Sequence, residues 1–196
     1  MPRGFTAAER SRIIDLLRQE GERLFVQYGL KKVTVENLAQ AAHIAKGSFY
    51  TFYESKEELY MDILENCQLR MYEELEQIIH TNPNRGKELM HEVIRTLLGG
   101  VERFPLLLRT DQETIELLYR KLSPRVLEKH LATDTAVIEK LRGYGIDFAY
   151  SSAIVAKSLQ QAVLAGFQLD QDDPDRQQVL AILLEGVVEK IVRDDA

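Results

Sequence analysis

Residues 33–59, VTVENLAQAAHIAKGSFYTFYESKEEL, constrain this chain more than any other stretch of it. Two short helical patterns stand on either side of a tight turn, and a capped start to a long helix follows. The second short helix carries Lys46, Gly47, Ser48, Tyr50 and Thr51, small or hydrogen-bonding residues where a merely structural helix carries alternating charge. A short helix presented in this way has the shape to enter the major groove of DNA. Its other side repeats apolar residues at Phe49 and at Phe52 or Tyr53, and the preceding helix supplies Leu38, Ala39 and Ala42, with Ile44 in the turn. Those positions are expected to form core.

The rest of the chain also reads as helix. Thr6 with Glu9 makes a capping box, and Ile13, Leu17, Leu24 and Tyr28 follow at helical spacing until Gly29 stops the run. Thr34 is placed to cap a helix over 35–42, and the recognition helix is expected over 46–53. Ser55 and Glu58 form a second box at the start of a long helix over 56–80. Thr81-Asn82-Pro83-Asn84 is a break. A fifth helix runs to about Phe104, with Gly99-Gly100 expected to bend it, and Pro105 ends it. Further patterns cover 106–121, 124–142, 148–168 and 174–193, the last with Asp173 as cap and Pro174 at the first helical position. No strand alternation, repeat or low-complexity tract is visible. The expected fold is all-α, about nine helices, with a boundary near residue 55 between an N-terminal three-helix unit (1–55) and a C-terminal helical domain (56–196).

Charge supports the same division. The net charge of −6 argues against a generally basic nucleic-acid binder. Residues 1–53 nevertheless hold eight Lys/Arg against five Asp/Glu, and residues 54–196 hold 17 against 26. The single cysteine, Cys67, excludes an internal disulfide and a cysteine-based zinc site. The first residues, MPRGFTAAERSR, contain no apolar run, and no window approaches the ~18 apolar residues of a membrane-spanning helix. A soluble, cytoplasmic protein is expected.

Taken in order, Thr34, Leu38, Ala39, Ile44, Gly47, Ser48, Tyr50, Ser55, Lys56 and Leu59 resemble the DNA-binding signature of the TetR family of bacterial transcriptional regulators. The resemblance covers about the first 60 residues. Three positions depart from it. His43 stands where the turn usually has Gly, Ala45 replaces the usual Ser, and Phe52 takes the place of a hydroxyl-bearing aromatic. Candidate DNA-binding residues are Thr34, Lys46, Gly47, Ser48, Tyr50, Thr51 and Lys56. Tyr50 and Lys56 are expected to reach phosphates, and Gly47 and Ser48 to permit close approach. Arg3 in the tail is a weaker minor-groove candidate.

The resemblance implies a regulator, most often a repressor, that binds a palindromic operator as a homodimer and is released by a small-molecule ligand. Dimerisation is expected through the last two helices. Ala153, Ala156, Ala162, Ala165 and Gly166 lie on one; Leu180, Leu183, Val187 and Ile191, with Val179, Ile182 and Gly186, lie on the other. The family also implies a pocket in the middle helices, for which Cys67, Met71, Leu97, Phe104, Leu108, Leu118 and Tyr119 are candidates without a committed set. His43, His80, His91 and His130 form no metal-binding motif, and no nucleophile elbow or phosphate loop is present. No enzymatic activity, metal or cofactor is expected. A helical protein-interaction module with a degenerate helix-turn-helix is the alternative, sustained by His43, Ala45 and Phe52.

Overall fold

The computed structural model describes residues 5–81, 86–100, 103–167, 169 and 173–193. Ten helices are found among them: α1 (Ala7–Lys32), α2 (Val35–Ala41), α3 (Lys46–Phe49), α4 (Lys56–Thr81), α5 (Gly86–Gly100), α6 (Pro105–Arg109), α7 (Gln112–Lys121), α8 (Pro124–Gly143), α9 (Ser152–Phe167) and α10 (Arg176–Ile191). Extended pairing among the described residues is limited to one isolated bridge, Phe148 with Val192. The expected break at 82–84 and the tail residue Arg3 lie outside the described residues.

The predicted caps decide several helix ends. Thr6 and Glu9 satisfy each other's backbone N–H groups at the start of α1. Gly29, at φ 77°, interrupts α1, and one further turn carries the chain to Val33. At α4 the box forms in shifted register: Ser55 accepts from the Glu58 N–H, but the Glu58 carboxylate accepts from the N–H of Glu54. The pattern read as one helix over 106–121 is two. The Asp111 carboxylate accepts from the Thr114 N–H and starts α7 afresh, which is why ten helices stand where about nine were expected. The last helix begins at Arg176, because the Asp173 carboxylate is taken by the Asp175 N–H within the turn. The segment before α9 is held in extended form by Arg142, whose guanidinium donates to Ser152 Oγ and the Phe148 carbonyl and covers the Phe148 ring.

Two hydrophobic cores divide along α4, between Cys67 and Leu75. The first joins α1, α2, α3 and the N-terminal half of α4, and takes in Phe104, Leu106, Leu117 and Leu118 from the α6–α7 region. The second joins the C-terminal half of α4 to α5, α8, α9 and α10. Phe25 packs edge-on against Tyr60, and the Tyr60 hydroxyl meets Thr110 Oγ1 at 2.9 Å, so α6 is tied to the same helix that carries both cores. Gly21 sits at the α1–α4 crossing. A Cβ there falls 2.9 Å from Ile63 Cδ1 and 3.3 Å from Leu59 Cδ2. Gly21→Leu is therefore expected to overpack this crossing and lower stability by about 1–3 kcal/mol, read as a reduced denaturation midpoint at unchanged m-value.

Candidate nucleic-acid interface

Thr34, Lys46, Gly47, Tyr50 and Thr51 all lie on the exposed side of the α2–α3 unit, with Ser48 and Lys56 half-buried. The opposite side is buried: Leu38 and Phe49 are fully enclosed and Ala39 and Ala42 nearly so. The turn between the helices is closed by the Ile44 N–H donating to the Ala39 carbonyl at 2.9 Å. His43 holds φ 56°, so a residue that tolerates the left-handed region occupies the glycine position, and the turn is made in full. Ala45 leaves α3 without a side-chain cap. That helix is also shorter than its apolar spacing suggested. After Phe49 the bonds tighten to a three-residue spacing, with Thr51 N–H on Ser48 and Phe52 N–H on Phe49.

Each candidate has a definite local setting. Thr34 caps α2: its hydroxyl accepts from the Asn37 N–H and donates to Asn37 Oδ1, which also accepts the Thr34 N–H. Lys46 forms an exposed ion pair with Glu36, and hydrogen bonding to that carboxylate raises its pKa. Tyr50 stands 54% exposed with its ring edge against Phe49, which fixes the direction in which its hydroxyl projects. Gly47 has an ordinary negative φ, and a Cβ built on it meets nothing within 4 Å. The fold itself therefore does not require a glycine there.

Lys56 is engaged differently from the others. Its ammonium donates to the carbonyls of Leu30 at 2.7 Å, Lys31 at 3.2 Å and Val33 at 2.7 Å. All three of its donors thus close the C-terminal end of α1, and burial lowers its pKa. Lys56 pins the start of α4 to the end of α1. Phe52 also has a structural partner set: the Phe5 ring lies 5.4 Å away and the Arg10 guanidinium sits 4.9 Å over its face while donating to the Thr51 carbonyl.

Sequence patterning did not reveal one network behind the interface. Asp62 of α4 accepts two bonds from Arg18 of α1, at 2.6 and 2.9 Å, and one from the Tyr53 hydroxyl at 2.6 Å. Burial pushes the Asp62 carboxyl up, but these bonds outweigh it and hold the pKa below the ordinary aspartate value. Three elements are fixed relative to one another by one carboxylate.

Below the interface, a cavity of about 600 Å³ opens among α4, α5 and α7–α10, with Leu107 of α6 at its edge. Met71, Leu118 and Tyr119 line it as sequence suggested. Cys67 and Phe104 belong instead to the first core. Burial and the neighbouring Glu22 push the Cys67 thiol up to about 11, so it behaves as a packed apolar group. The side chains of Leu97 and Leu108 lie outside the described residues. No helix among the described residues is long and apolar enough to cross a membrane, and no group of three metal-ligating side chains occurs among them.

A buried turn that presents a short helix of small and hydrogen-bonding residues to solvent defines a helix-turn-helix DNA-binding domain. Residues 17–63 match the family model for bacterial regulatory proteins of the tetR family. That match lies within the N-terminal unit, from α1 to the first turns of α4. It is 26% identical over 102 residues to the uncharacterized HTH-type transcriptional regulator YhgD of Bacillus subtilis (strain 168), over 52% of this chain and 53% of that protein. The match thus spans about half the length of that relative. The fold extends further. A TetR-family transcriptional regulator from Pectobacterium atrosepticum superimposes with TM-score 0.68 at 18% identity, over 97% of this chain and 100% of the other. RolR in complex with resorcinol gives 0.62 at 15% identity, over 97% and 100%. SmeT, the repressor of the Stenotrophomonas maltophilia multidrug efflux pump SmeDEF, gives 0.58 at 20% identity, over 96% and 92%.

Proposed function

We propose that the protein is a transcriptional repressor that binds a palindromic operator as a homodimer and releases it when a small molecule occupies the central cavity. The observation that carries this reading is the α2–α3 face, where every exposed residue of the recognition helix is small or hydrogen-bonding and Gly47 has no reason within the fold to lack a side chain. Thr34, Lys46, Ser48, Tyr50 and Thr51 are assigned to DNA contact around that glycine, and Lys56 to positioning the start of α4 against the end of α1. Repression is the commoner mode in the family, and the similar fold of SmeT belongs to a repressor.

One short helix reads too few base pairs for a useful site, so two copies are needed. The α9–α10 surface supports such pairing. Ile154, Ile182 and Leu183 are exposed in the monomer at 51%, 61% and 36%, and Gly186 beside them has open space around its missing side chain. Exposed apolar side chains on adjacent packed helices are what a subunit interface covers. Ile182→Glu is expected to shift the protein from dimer to monomer at micromolar concentration, as measured by analytical ultracentrifugation. A variant that remains wholly dimeric would remove these helices from the interface.

Release follows from linkage. An effector shifts DNA affinity only through its differential affinity for the DNA-competent and incompetent states. Two elements connect the cavity to the reading head: α4, which lines the cavity and is clamped by Lys56 to α1, and α6, which places Leu107 at the cavity and Leu106 in the first core. The test is a mobility shift on the DNA upstream of the protein's own gene. Tyr50→Ala is expected to weaken binding by roughly tenfold or more while the dimer persists. Wild-type protein that binds no DNA at low salt, where phosphate contacts are strongest, would sink the reading.

A further inference from the structure

One end of the cavity is polar in a way its apolar walls do not explain. Gln68 of α4 and His130 and Asp134 of α8 line it, and behind them Glu65 is buried against the same group. His130 Nε2 lies 4.0 Å from Asp134 Oδ2, and Glu65 Oε2 accepts from Lys129 at 2.7 Å. That leaves Gln68 Oε1, Glu65 Oε1 and His130 Nδ1 buried with no partner among the protein's groups. An orphaned buried polar atom is costly to leave unmet, so Gln68 and His130, which carry two of them and line the cavity, are a preformed demand for a partner.

The chemistry of the patch selects the partner. Two of the three orphaned atoms are oxygens that only accept hydrogen bonds. The charged side chains lining the cavity are Glu73, Glu76, Asp134 and Lys140, together with His130; no arginine is among the described lining residues. Lys140 is already taken by Glu76 at 2.5 Å. An anionic ligand therefore finds no unpaired lysine or arginine among the described lining residues, whereas a donor-bearing cation finds Asp134 and the Gln68 carbonyl in the same lining. Tyr72, Tyr119 and Tyr144 also line the space, and aromatic rings attract cations. Burial, opposed by His130 and reinforced by Glu65, raises the Asp134 pKa.

We propose that the cavity binds hydrophobic cations, drug-sized apolar molecules carrying an ammonium or amidinium group that donates to Asp134 and Gln68. The proposal names the ligand class of the effector site and rests on that reading of the cavity. Its volume suits such a molecule, since ligand sites of this kind run from about 300 to 1,000 Å³.

The test uses full-length protein without DNA and three probes that share a naphthylbutyl body and end in a primary ammonium, a carboxylate or a hydroxyl. Calorimetric titration is expected to show the ammonium probe binding at least about tenfold more tightly than either of the others. Asp134→Asn is expected to lower ammonium affinity roughly tenfold to a hundredfold, and Gln68→Met several-fold, with the alcohol little changed in both. Glu88→Gln, exposed on α5 and outside the cavity lining, should leave the ranking intact. Equal affinity for the three probes, or preference for the carboxylate, overturns the proposal without reference to any variant's stability. An ammonium probe that binds as expected but leaves operator affinity unchanged supports the ligand class and refutes the cavity's role as effector site.

Discussion

Gly47→Glu is expected to abolish specific DNA binding, by roughly a thousandfold or more for the dimer, while thermal stability stays the same or rises slightly. The two halves of that expectation come from the same observation. A Cβ on Gly47 meets nothing within 4 Å and the backbone there is ordinary right-handed helix, so a larger residue is accommodated. In an exposed helical position glycine is about 0.5–1 kcal/mol worse than most replacements, which sets the small stabilisation. On DNA the same side chain stands between Lys46 and Ser48 on the exposed face beside Tyr50 and Thr51. It adds bulk where close approach is needed and negative charge facing phosphates, and a dimer suffers both twice. Gly47→Ala separates the contributions: with no added charge it should lose only about tenfold per half-site. Fluorescence anisotropy on the DNA upstream of the protein's own gene, paired with a thermal melt, reads both quantities. A Gly47→Glu protein that binds operator normally would remove this face from the interface.

What could be read from the residues in order, and what could not, follows the range of the interactions. Caps are local, so Thr6 with Glu9 and Thr34 at the start of α2 were legible within four positions. The helix-turn-helix was legible because its pattern combines a turn residue, a small crossing residue and two apolar faces within twenty positions. His43 was recognisable as the residue that must take a positive φ, and it does. Helix length was harder. Phe49, Phe52 and Tyr53 keep helical phase while the hydrogen bonds beneath them tighten, and periodicity does not register that change. Asp111 is a cap signal inside a leucine-rich run, and the run concealed it.

Long-range partners were not legible at all. A lysine at the start of a helix reads as a group free to reach phosphate. Only the folded chain shows its ammonium on carbonyls 23 to 26 residues away. Gln68 and Asp134 are unremarkable polar residues in sequence, and come to line one cavity only because α4 and α8 both wall it. The same holds for the link between cavity and reading head. Thr110 looks like a loop residue, yet its hydroxyl joins Tyr60 of α4 to the Leu106 carbonyl of α6, so the two helices that flank the cavity share one buried contact. An effector that displaces either helix disturbs both.

The Arg18–Asp62–Tyr53 network gives the second large effect. Asp62→Ala is expected to lower stability by about 2–3 kcal/mol at neutral pH. It removes the acceptor of two charge-assisted bonds and one hydroxyl bond, and strands the Tyr53 hydroxyl on a residue only 8% exposed. The figure is held below the cost of a fully buried pair because the Arg18 side chain is 36% exposed and regains water. For a chain of this size the change corresponds to a melting temperature lower by roughly 5–10 °C. The effect has a pH signature. The Asp62 pKa is lower in the folded chain than in the unfolded one, so its contribution is complete above the ordinary aspartate value and disappears as pH falls through the depressed folded value. The stability gap between wild type and Asp62→Ala is therefore constant from pH 7 down to about 5 and closes below about 4. Tyr53→Phe, combined with Asp62→Ala in a double-mutant cycle, should cost less than the sum of the single changes, because both remove the same bond. The network also fixes the segment after α3 against α1 and α4, so operator affinity is expected to fall in Asp62→Ala even at temperatures where the variant is fully folded. Denaturant titrations at several pH values read the first effect and anisotropy at 15 °C reads the second. A variant with wild-type melting and a pH-independent gap would show that solvent, and not this carboxylate, holds Arg18 and Tyr53 in place.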